Sequence, residues 1–390
     1  MPKIGIIGYG RQIGRITDIL LERDKETTIG AIADIRCDEI RKQMEEAGKD
    51  VKNIRFYTDV DEMLAAGGVD GIFVGTRCHL HAPFAMKVLR QGVPLYLEKP
   101  VATNMEDLVA LRDTYRKYGG KVIVSFPLRV TKHVQLVKEI IDSGKIGTVE
   151  HVQAVNDVAY GGVYFHNWYR DENETQGLFV QKATHDFDYL NYVLGQPPVQ
   201  ICAMTSKQIF KGDKPENLKC SDCSEYTTCP DSPLVLERYA FDTANGDYCC
   251  FAKDTGNEDS GSAIIRYASG MHAVYSQNFF IRKGAAARGA RFMGYKGTVQ
   301  FDWATNLVQV FMHHTPVVET YKLDDEAMNA GHGGGDYTLV DNFIDILHNR
   351  TNESLSPLDA GLTSILMSLN ARESAKTATF RDLVWPDSAK

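Results

Sequence analysis

The sequence has no long apolar segment: none of its hydrophobic runs reaches the roughly 18 residues that cross a bilayer. It also lacks an excess of positive charge, because 43 Lys and Arg stand against 51 Asp and Glu, giving a net charge of −8. An acidic chain has no long-range attraction for phosphate backbones or anionic lipid. Repeats and low-complexity segments are absent as well. We therefore expect a globular protein that binds neither nucleic acid nor membrane.

The N-terminus lacks the charged and apolar regions of a secretory signal, because Met1-Pro2-Lys3 leads directly into a short apolar strand. This predicts a cytoplasmic protein. At about 150 residues per domain, 390 residues predict two domains. No proline- or serine-rich linker separates them, which predicts a packed junction.

The first third of the chain alternates short apolar runs with helical stretches, the pattern of βαβ units around a parallel sheet. Residues 1–127 form this first predicted domain. Its expected strands are 4–7, 29–33, 71–74, 95–97 and 122–124.

From residue 128 onward, apolar segments pair across tight turns such as Ser269-Gly270, which predicts an antiparallel sheet. Residues 128–390 are the second predicted domain, with an aperiodic, cysteine-rich insertion at 211–261 and two closing helices within 337–390. The predicted fold class is α/β, a parallel sheet followed by an α+β domain.

Glycines stand where the first strand turns into a helix. Gly8 permits a tight turn, and Gly10 lets the backbone approach a pyrophosphate at the helix N-terminus. The spacing to Gly14 is one residue longer than in G-x-G-x-x-G, so either Ile13 or Gly14 takes the third position. A simple glycine turn is the alternative interpretation.

A carboxylate ends the second predicted strand. Asp34 can accept a hydrogen bond from a ribose 2′-hydroxyl there and would repel a 2′-phosphate, which favours NAD as the cofactor. Arg36, two residues further on, leaves NADP open.

Two further segments carry a family signature, Gly75-Thr76-Arg77-Cys78-His79-Leu80-His81 and Leu97-Glu98-Lys99-Pro100. Together with the glycine motif, they make the chain similar to the Gfo/Idh/MocA oxidoreductases along nearly its whole length. The resemblance implies a Rossmann domain joined to a domain with an open, mostly antiparallel sheet that often forms dimers or tetramers. It also implies an active site at the junction, where a hydride moves between nicotinamide and a secondary hydroxyl of a sugar or cyclitol.

The resemblance also implies a set of cofactor-binding residues in the four loops that follow the predicted strands 4–7, 29–33, 71–74 and 95–97. They are Gly8, Tyr9, Gly10, Arg11, Gln12, Ile13, Asp34, Arg36, Thr76, Arg77, His79, His81, Glu98, Lys99 and Pro100.

The resemblance implies that Lys99 and His185 are the catalytic residues. Alcohol oxidation needs a base with a pKa near the working pH, which an imidazole provides unaided and an amine only when burial lowers its pKa. We expect His185 to be the base and Lys99 the cation that stabilises the developing alkoxide, with the reverse assignment open. Family members commonly have an Asp four residues before this histidine, where this chain has Gln181, so Asp186 or Asp188 would have to orient it.

An aromatic segment at 160–170 precedes the helix that carries the histidine. Its rings can stack on a sugar face and its basic groups can hold hydroxyls or an anionic group, although the same rings can also be core. His332, in a glycine-rich segment before a helix, could lie at a flexible edge of the cleft, but a structural role at the helix entry is the preferred interpretation. The predicted substrate residues are Arg129, Tyr160, Tyr164, His166, Trp168, Arg170, Lys182 and Asp186.

Five of the eight cysteines lie in the insertion. Cys220, Cys223 and Cys229, with a further cysteine about twenty residues on, have the spacing of a structural zinc site. Free thiols or a disulfide are the alternatives. Four thiolates would leave no open position, so this zinc would not take part in catalysis.

The sequence thus predicts an NAD-dependent oxidoreductase that acts on a secondary hydroxyl of a sugar, glycoside or cyclitol, as a homodimer or homotetramer. A second hypothesis is an NAD-dependent glycosidase, in which oxidation acidifies a neighbouring C–H, the aglycone is eliminated, water adds and the hydride returns. A third, a non-catalytic NAD sensor, would not need Lys99 together with His185 and is disfavoured.

Overall fold

The computed structural model describes residues 1–239, 246–323 and 331–387. The chain forms two compact units. Unit 1 contains Met1–Thr131, a later segment that ends at Leu366, and the C-terminus from Trp385. Unit 2 contains the chain from Lys132 up to the start of that later segment, together with Met367–Val384. Among the described residues, no helix is long and apolar enough to cross a membrane.

The described regular elements comprise fifteen strands and twelve α-helices. The strands are β1 Lys3–Ile7, β2 Thr28–Ala33, β3 Arg55–Tyr57, β4 Gly71–Val74, β5 Leu95–Leu97, β6 Val122–Val124, β7 Val149–Asp157, β8 Pro198–Ser206, β9 Ser260–Tyr267, β10 His272–Asn278, β11 Ala287–Gly294, β12 Gly297–Asp302, β13 Leu307–Met312, β14 Val318–Lys322 and β15 Arg381–Asp382. The helices are α1 Arg11–Arg23, α2 Cys37–Glu46, α3 Val60–Ala66, α4 His81–Leu89, α5 Met105–Tyr118, α6 Lys132–Asp142, α7 Val163–His166, α8 Glu172–Thr175, α9 Thr184–Leu194, α10 Pro233–Tyr239, α11 Gly335–Leu347 and α12 Leu358–Thr377.

Unit 1 is built on a six-stranded parallel sheet with the strand order β3-β2-β1-β4-β5-β6. This confirms the predicted Rossmann-type sheet, including all five predicted strands. The sequence pattern missed β3 because its three residues, Arg-Phe-Tyr, contain no apolar run. The strand order reverses between β1 and β4, the point at which doubly wound sheets bind dinucleotides.

The helix α11 belongs to the core of unit 1, whereas the sequence assigned residues 337–390 to the second domain. Phe343 of α11 packs against Phe73 and Tyr96, with ring centroids 5.0 and 6.1 Å away. All three rings are fully buried. The difference arises because an apolar stripe identifies a buried helix face but not the sheet that the face covers.

Unit 2 is built on a nine-stranded sheet with the order β14-β13-β12-β11-β7-β10-β9-β8-β15. Adjacent strands run antiparallel except for the parallel pair β7 and β10, which confirms the predicted mostly antiparallel sheet. The helices α6 and α9 cover one face of it. Tyr189 of α9 packs edge-on to Phe301 and Trp303, and His133 of α6 lies 6.3 Å from the Phe301 ring.

The cysteine-rich insertion at 211–261 is largely irregular, as its aperiodic sequence predicts. Its described part contains α10 and two isolated backbone bridges, Lys214 to Ala252 and Lys219 to Tyr248. Residues 240–245 of the insertion, and residues 388–390 after the closing helices, lie outside the described residues.

Candidate functional site

The carboxyl ends of β1 and β4 approach each other closely in unit 1. Gly8, the first residue after β1, has φ +81°, a conformation that side chains disfavour. A Cβ at Gly8 would lie 2.6 Å from Thr76 Cγ2 and 2.9 Å from the Thr76 backbone. Only glycine therefore allows the loop after β1 to lie against the loop after β4.

The N-terminus of α1 is open at this edge of the sheet. Its N-cap residue is Gly10, no side chain caps the helix there, and a Cβ at Gly10 would meet nothing closer than 3.8 Å. Such a helix end offers backbone N–H groups and partial positive charge to a phosphate. Ile13 fills the close-packed third position, because a Cβ on Gly75 would lie 1.9 Å from Ile13 Cγ1. Gly14 has room for a Cβ.

Asp34 follows β2 beside this glycine loop. One carboxylate oxygen accepts from the Tyr9 backbone N–H at 3.0 Å, and the other accepts from the Arg36 N–H at 2.9 Å. The half-exposed Arg36 guanidinium lies 3.6 Å from the carboxylate. Asp34 therefore fixes the loop, and each of its oxygens keeps a second lone pair for a further donor.

His81 joins the loops after β4 and β5. Its Nδ1 lies 2.8 Å from the Pro100 carbonyl oxygen and its Nε2 lies 3.2 Å from the Thr76 carbonyl oxygen. Burial lowers the pKa of His81 to about 4. The structure thus brings Thr76, His81 and Pro100 together, whereas the side chains of Arg77 and His79 are exposed.

Glu98 is a buried carboxyl group directly after β5, beside Lys99. Within the described residues, its Oε1 has no hydrogen-bond partner. Burial raises the pKa of Glu98 to about 7, against the opposing effect of Lys99. A buried polar atom without a partner is rare in proteins, and a bound polar ligand would satisfy it.

An ion pair in unit 1 holds His332, which the sequence analysis interpreted as structural. The buried Asp336 accepts hydrogen bonds from Arg15 and from His332 Nδ1, the latter at 2.8 Å. Burial raises the pKa of Asp336, but the bonds from His332 and Arg15 outweigh it and leave the pKa below its ordinary value. His332 has φ +50° and is partly exposed. A histidine oriented by a buried carboxylate is a candidate acid or base, and the i, i+4 spacing of His332 and Asp336 is the sequence signal for it.

In unit 2, His185 lies in the first turn of α9, directly after a π-helical turn at Phe179–Ala183. Its neighbour Asp186 is fully buried and accepts from Arg288 Nε and Nη2 at 2.9 and 2.8 Å. Arg288 was missed by the sequence analysis. It shares strand parity with the buried Ala290 and Phe292, so a charged residue at an inward-facing position was the available signal.

The predicted substrate residues divide into buried and exposed groups. His166 and Arg170 are buried against the insertion: His166 Nδ1 lies 2.7 Å from the Tyr248 carbonyl oxygen, and Arg170 pairs with Asp254 at 2.5 Å. Tyr164 is also buried, which favours the packing interpretation for these three residues.

Tyr160 is 45% exposed and Trp168 is partly exposed. Arg129 is buried in unit 1 and donates to the Leu355 carbonyl oxygen at 3.3 Å.

The structural zinc site predicted at Cys220, Cys223 and Cys229 is not supported. Over residues 1–239, 246–323 and 331–387, no three His, Cys, Asp or Glu side chains gather as metal ligands. Backbone pairing brings Cys220 beside Cys249 instead: the Cys220 N–H donates to the Asp247 carbonyl oxygen and the Cys249 N–H to that of Leu218. Cysteine spacing was therefore misleading, because it does not show which thiols converge.

Comparison with known proteins agrees with this architecture. Residues 2–126 match the model of an oxidoreductase family with an NAD-binding Rossmann fold, and residues 134–300 match the GFO/IDH/MocA C-terminal domain. An inositol 2-dehydrogenase of Rhizobium meliloti is 26% identical, over 71% of this chain and 68% of its own length. YteT of Bacillus subtilis, named as an oxidoreductase, is 27% identical over 78% of this chain and 79% of its own length.

A solved structure extends the similarity to the whole fold. A levoglucosan dehydrogenase, in complex with NADH and levoglucosan, superimposes with a TM-score of 0.76 at 17% identity, covering 98% of this chain and 99% of the other. At this identity the comparison shows a shared fold only.

The buried carboxyl of Glu98 predicts a pH dependence of stability in unit 1. Its pKa is about 7 in the folded chain and about 4.3 in an unfolded one. An acid with a raised folded pKa stabilises the fold below its unfolded pKa, and this contribution is lost as the pH rises through the folded pKa. Between about pH 4 and pH 7.5 the native protein should lose about 3 kcal/mol of unfolding free energy relative to Glu98→Gln.

Urea-dependent hydrogen exchange at the amides of β1 and β5 measures this difference within unit 1. The exposed Glu106→Gln is the control and should follow the native protein at every pH. If the unfolding free energies of the native protein and of Glu98→Gln changed in parallel with pH, the raised pKa of Glu98 would be contradicted.

Proposed function

Because the chain belongs to the Gfo/Idh/MocA family of oxidoreductases, we propose that it is an NAD-dependent dehydrogenase acting on a secondary hydroxyl of a sugar, glycoside or cyclitol. The observation that carries this proposal is the buried Glu98 Oε1, which lacks a partner among the described residues and lies beside Lys99 at the end of β5. A polar ligand at this edge of the sheet would give Glu98 Oε1 the hydrogen-bond partner that it lacks.

The residues at the edge of the parallel sheet fit a nicotinamide dinucleotide. The loop that starts at Gly8 and the N-terminus of α1 would hold the pyrophosphate, Asp34 the adenosine ribose, and Glu98 a polar group at the far end. When bound, this cofactor supplies a nicotinamide carbon that accepts or returns a hydride.

Asp34 supports NAD over NADP. Its carboxylate lies at the end of β2, with each oxygen already accepting one backbone N–H and able to accept a second donor. A 2′-phosphate at the same place would bring negative charge against this carboxylate. The exposed side of Arg36 is the opposing feature, and we propose that Asp34 dominates.

Lys99 and His185 are the proposed catalytic residues. Loss of a hydride from carbon requires that the hydroxyl proton leave as well, and an imidazole ordinarily titrates near neutral pH. We assign His185 as the base and Lys99 as the cation that stabilises the alkoxide. Asp186 is engaged by Arg288, Asn156 and Tyr275, so its carboxylate serves that cluster.

The proposed substrate class is supported by the names of two relatives. One is named for inositol and one for levoglucosan, a cyclitol and an anhydrosugar. The second candidate function is the NAD-dependent glycosidase, in which oxidation, elimination, water addition and re-reduction leave no net redox change. A further basic group near α9, the buried Lys182, favours it, because that reaction removes a proton from carbon as well as from oxygen.

Cofactor preference is the first test. Isothermal titration should give tighter binding of NAD than of NADP, because the Asp34 carboxylate accepts a hydrogen bond from the ribose 2′-hydroxyl of NAD and repels the 2′-phosphate of NADP. Asp34→Asn should weaken NAD binding by about tenfold and narrow the preference. Asp38→Asn, an exposed carboxylate in the first turn of α2, should leave both affinities unchanged. Tighter binding of NADP by the native protein would contradict the assignment.

Turnover is the second test. A panel of sugars, cyclitols and aryl glycosides is assayed for both NADH formation and aglycone release. His185→Ala and Lys99→Met should each lower kcat by about 10²- to 10⁴-fold, the usual size of a lost proton-transfer group. Lys87→Met, which removes a surface ion pair with Asp61, is the matched control. Near-native turnover by either site variant would remove that residue from the mechanism, and aglycone release without net NADH would favour the glycosidase.

A further inference from the structure

A buried polar cluster surrounds the start of α9 in unit 2. At its centre is Asp186, whose carboxylate accepts four hydrogen bonds: two from Arg288, one from Asn156 at 2.7 Å and one from the Tyr275 hydroxyl at 2.9 Å. Asp186 and Arg288 are thus a satisfied, neutral ion pair. These partners occupy both carboxylate oxygens of Asp186.

Lys182 lies in the π-helical turn just before α9 and is only 5% exposed. Its amine is hydrogen-bonded to the Tyr160 hydroxyl, and among the described residues it has no carboxylate within ion-pair distance. π-Helical turns are rare and frequently mark functional sites. A buried lysine without a carboxylate partner is expensive to keep charged, because desolvation disfavours the ammonium form.

The charged and titratable groups around Lys182 come from three elements. Asp186 lies on its own helical segment, Arg288 on β11 and Tyr160 on the loop after β7. Burial lowers the pKa of Lys182 well below its ordinary value, Arg288 lowers it further, and Asp186 opposes both. The balance favours the uncharged amine, whose lone pair can accept a proton.

Tyr160 connects this buried amine to the surface. Tyr160 is 45% exposed, while its hydroxyl contacts the nearly inaccessible Lys182. A proton can therefore pass between a ligand at the tyrosine and a base that no ligand reaches directly. A hydroxyl is suited to this transfer because it donates and accepts at the same atom.

We propose that Tyr160 and Lys182 form a proton relay, in which Tyr160 Oη takes a proton from a bound carbohydrate while its own proton passes to Lys182 Nζ. An O–H bond of a carbohydrate hydroxyl breaks and an O–H bond forms at Tyr160, while the former O–H bond of Tyr160 breaks and an N–H bond forms at Lys182. The carbohydrate oxygen thereby gains a negative charge and the amine a positive charge. No electron changes hands in this step. The inference rests on the proposed function for the identity of the ligand, and it gives unit 2 a basic group in addition to His185.

The relay can be tested without a substrate. In full-length protein labelled with ¹³C at lysine Cε, the Lys182 resonance is identified by its loss in Lys182→Arg. It should titrate far below the resonance of Lys138, a lysine paired with Asp142 on the surface of α6. Tyr160→Phe should shift this titration, whereas Tyr192→Phe, which removes a hydroxyl bonded to Gln135, should not. A Lys182 titration that coincides with that of Lys138, or is unchanged in Tyr160→Phe, would overturn the relay.

Turnover provides the second arm, with whichever panel compound the enzyme accepts. Lys182→Arg keeps hydrogen-bond donors at this position but cannot be deprotonated, so it should lose about 10²-fold or more in kcat and the rise of kcat with pH. Lys182→Met should show the same loss, which separates the result from the strain of a larger side chain. Native-like kcat in both variants would overturn the relay and leave an anion-binding or structural lysine.

The two arms separate this inference from the proposed function. If no panel compound reduces NAD, the proposed function fails while the lysine titration still decides the relay. If NAD is reduced normally and Lys182 titrates like Lys138, the relay alone fails.

Discussion

The close approach of Gly8 to Thr76 is the constraint on which the candidate site depends. With φ +81° and no space for a Cβ, this glycine lets the loops after β1 and β4 touch. His81 then continues the chain of contacts, from the Thr76 carbonyl to the Pro100 carbonyl. The glycine loop therefore positions the loop that carries Lys99, through Thr76 and His81, although the two loops are far apart in sequence. Any larger residue at position 8 would clash with Thr76 and push these two loops apart.

Each unit buries two kinds of ionisable group: a carboxylate that is paired with an arginine, and a group that has no such partner. Asp336 and Asp186 are each paired with an arginine. In the described parts of the chain, Glu98 and Lys182 are buried without such a partner. Burial raises the pKa of Glu98 and lowers the pKa of Lys182, which favours the neutral form of each group. Groups whose pKa values are moved toward neutrality are suited to proton transfer.

Much of the fold could be predicted because it depends on local pattern. Alternating apolar runs gave the parallel sheet, and glycine at position 8 marked the nucleotide turn. Long-range choices were not predictable: α11 covers the first sheet, and Cys220 meets Cys249 in place of a metal. Arg288 was overlooked for the same reason, since its partner Asp186 lies 102 residues away in sequence and only the packing of α9 against the sheet brings them together.

The central claim is that this chain moves a hydride between a carbohydrate carbon and nicotinamide. It is tested most directly by incubating the protein and NAD with sugars and cyclitols deuterated at their carbinol carbons, and by examining the recovered dinucleotide by NMR. The account predicts deuterium at C4 of the nicotinamide ring, on one face only. NAD that is bound to saturation but recovered without deuterium from every compound would contradict it.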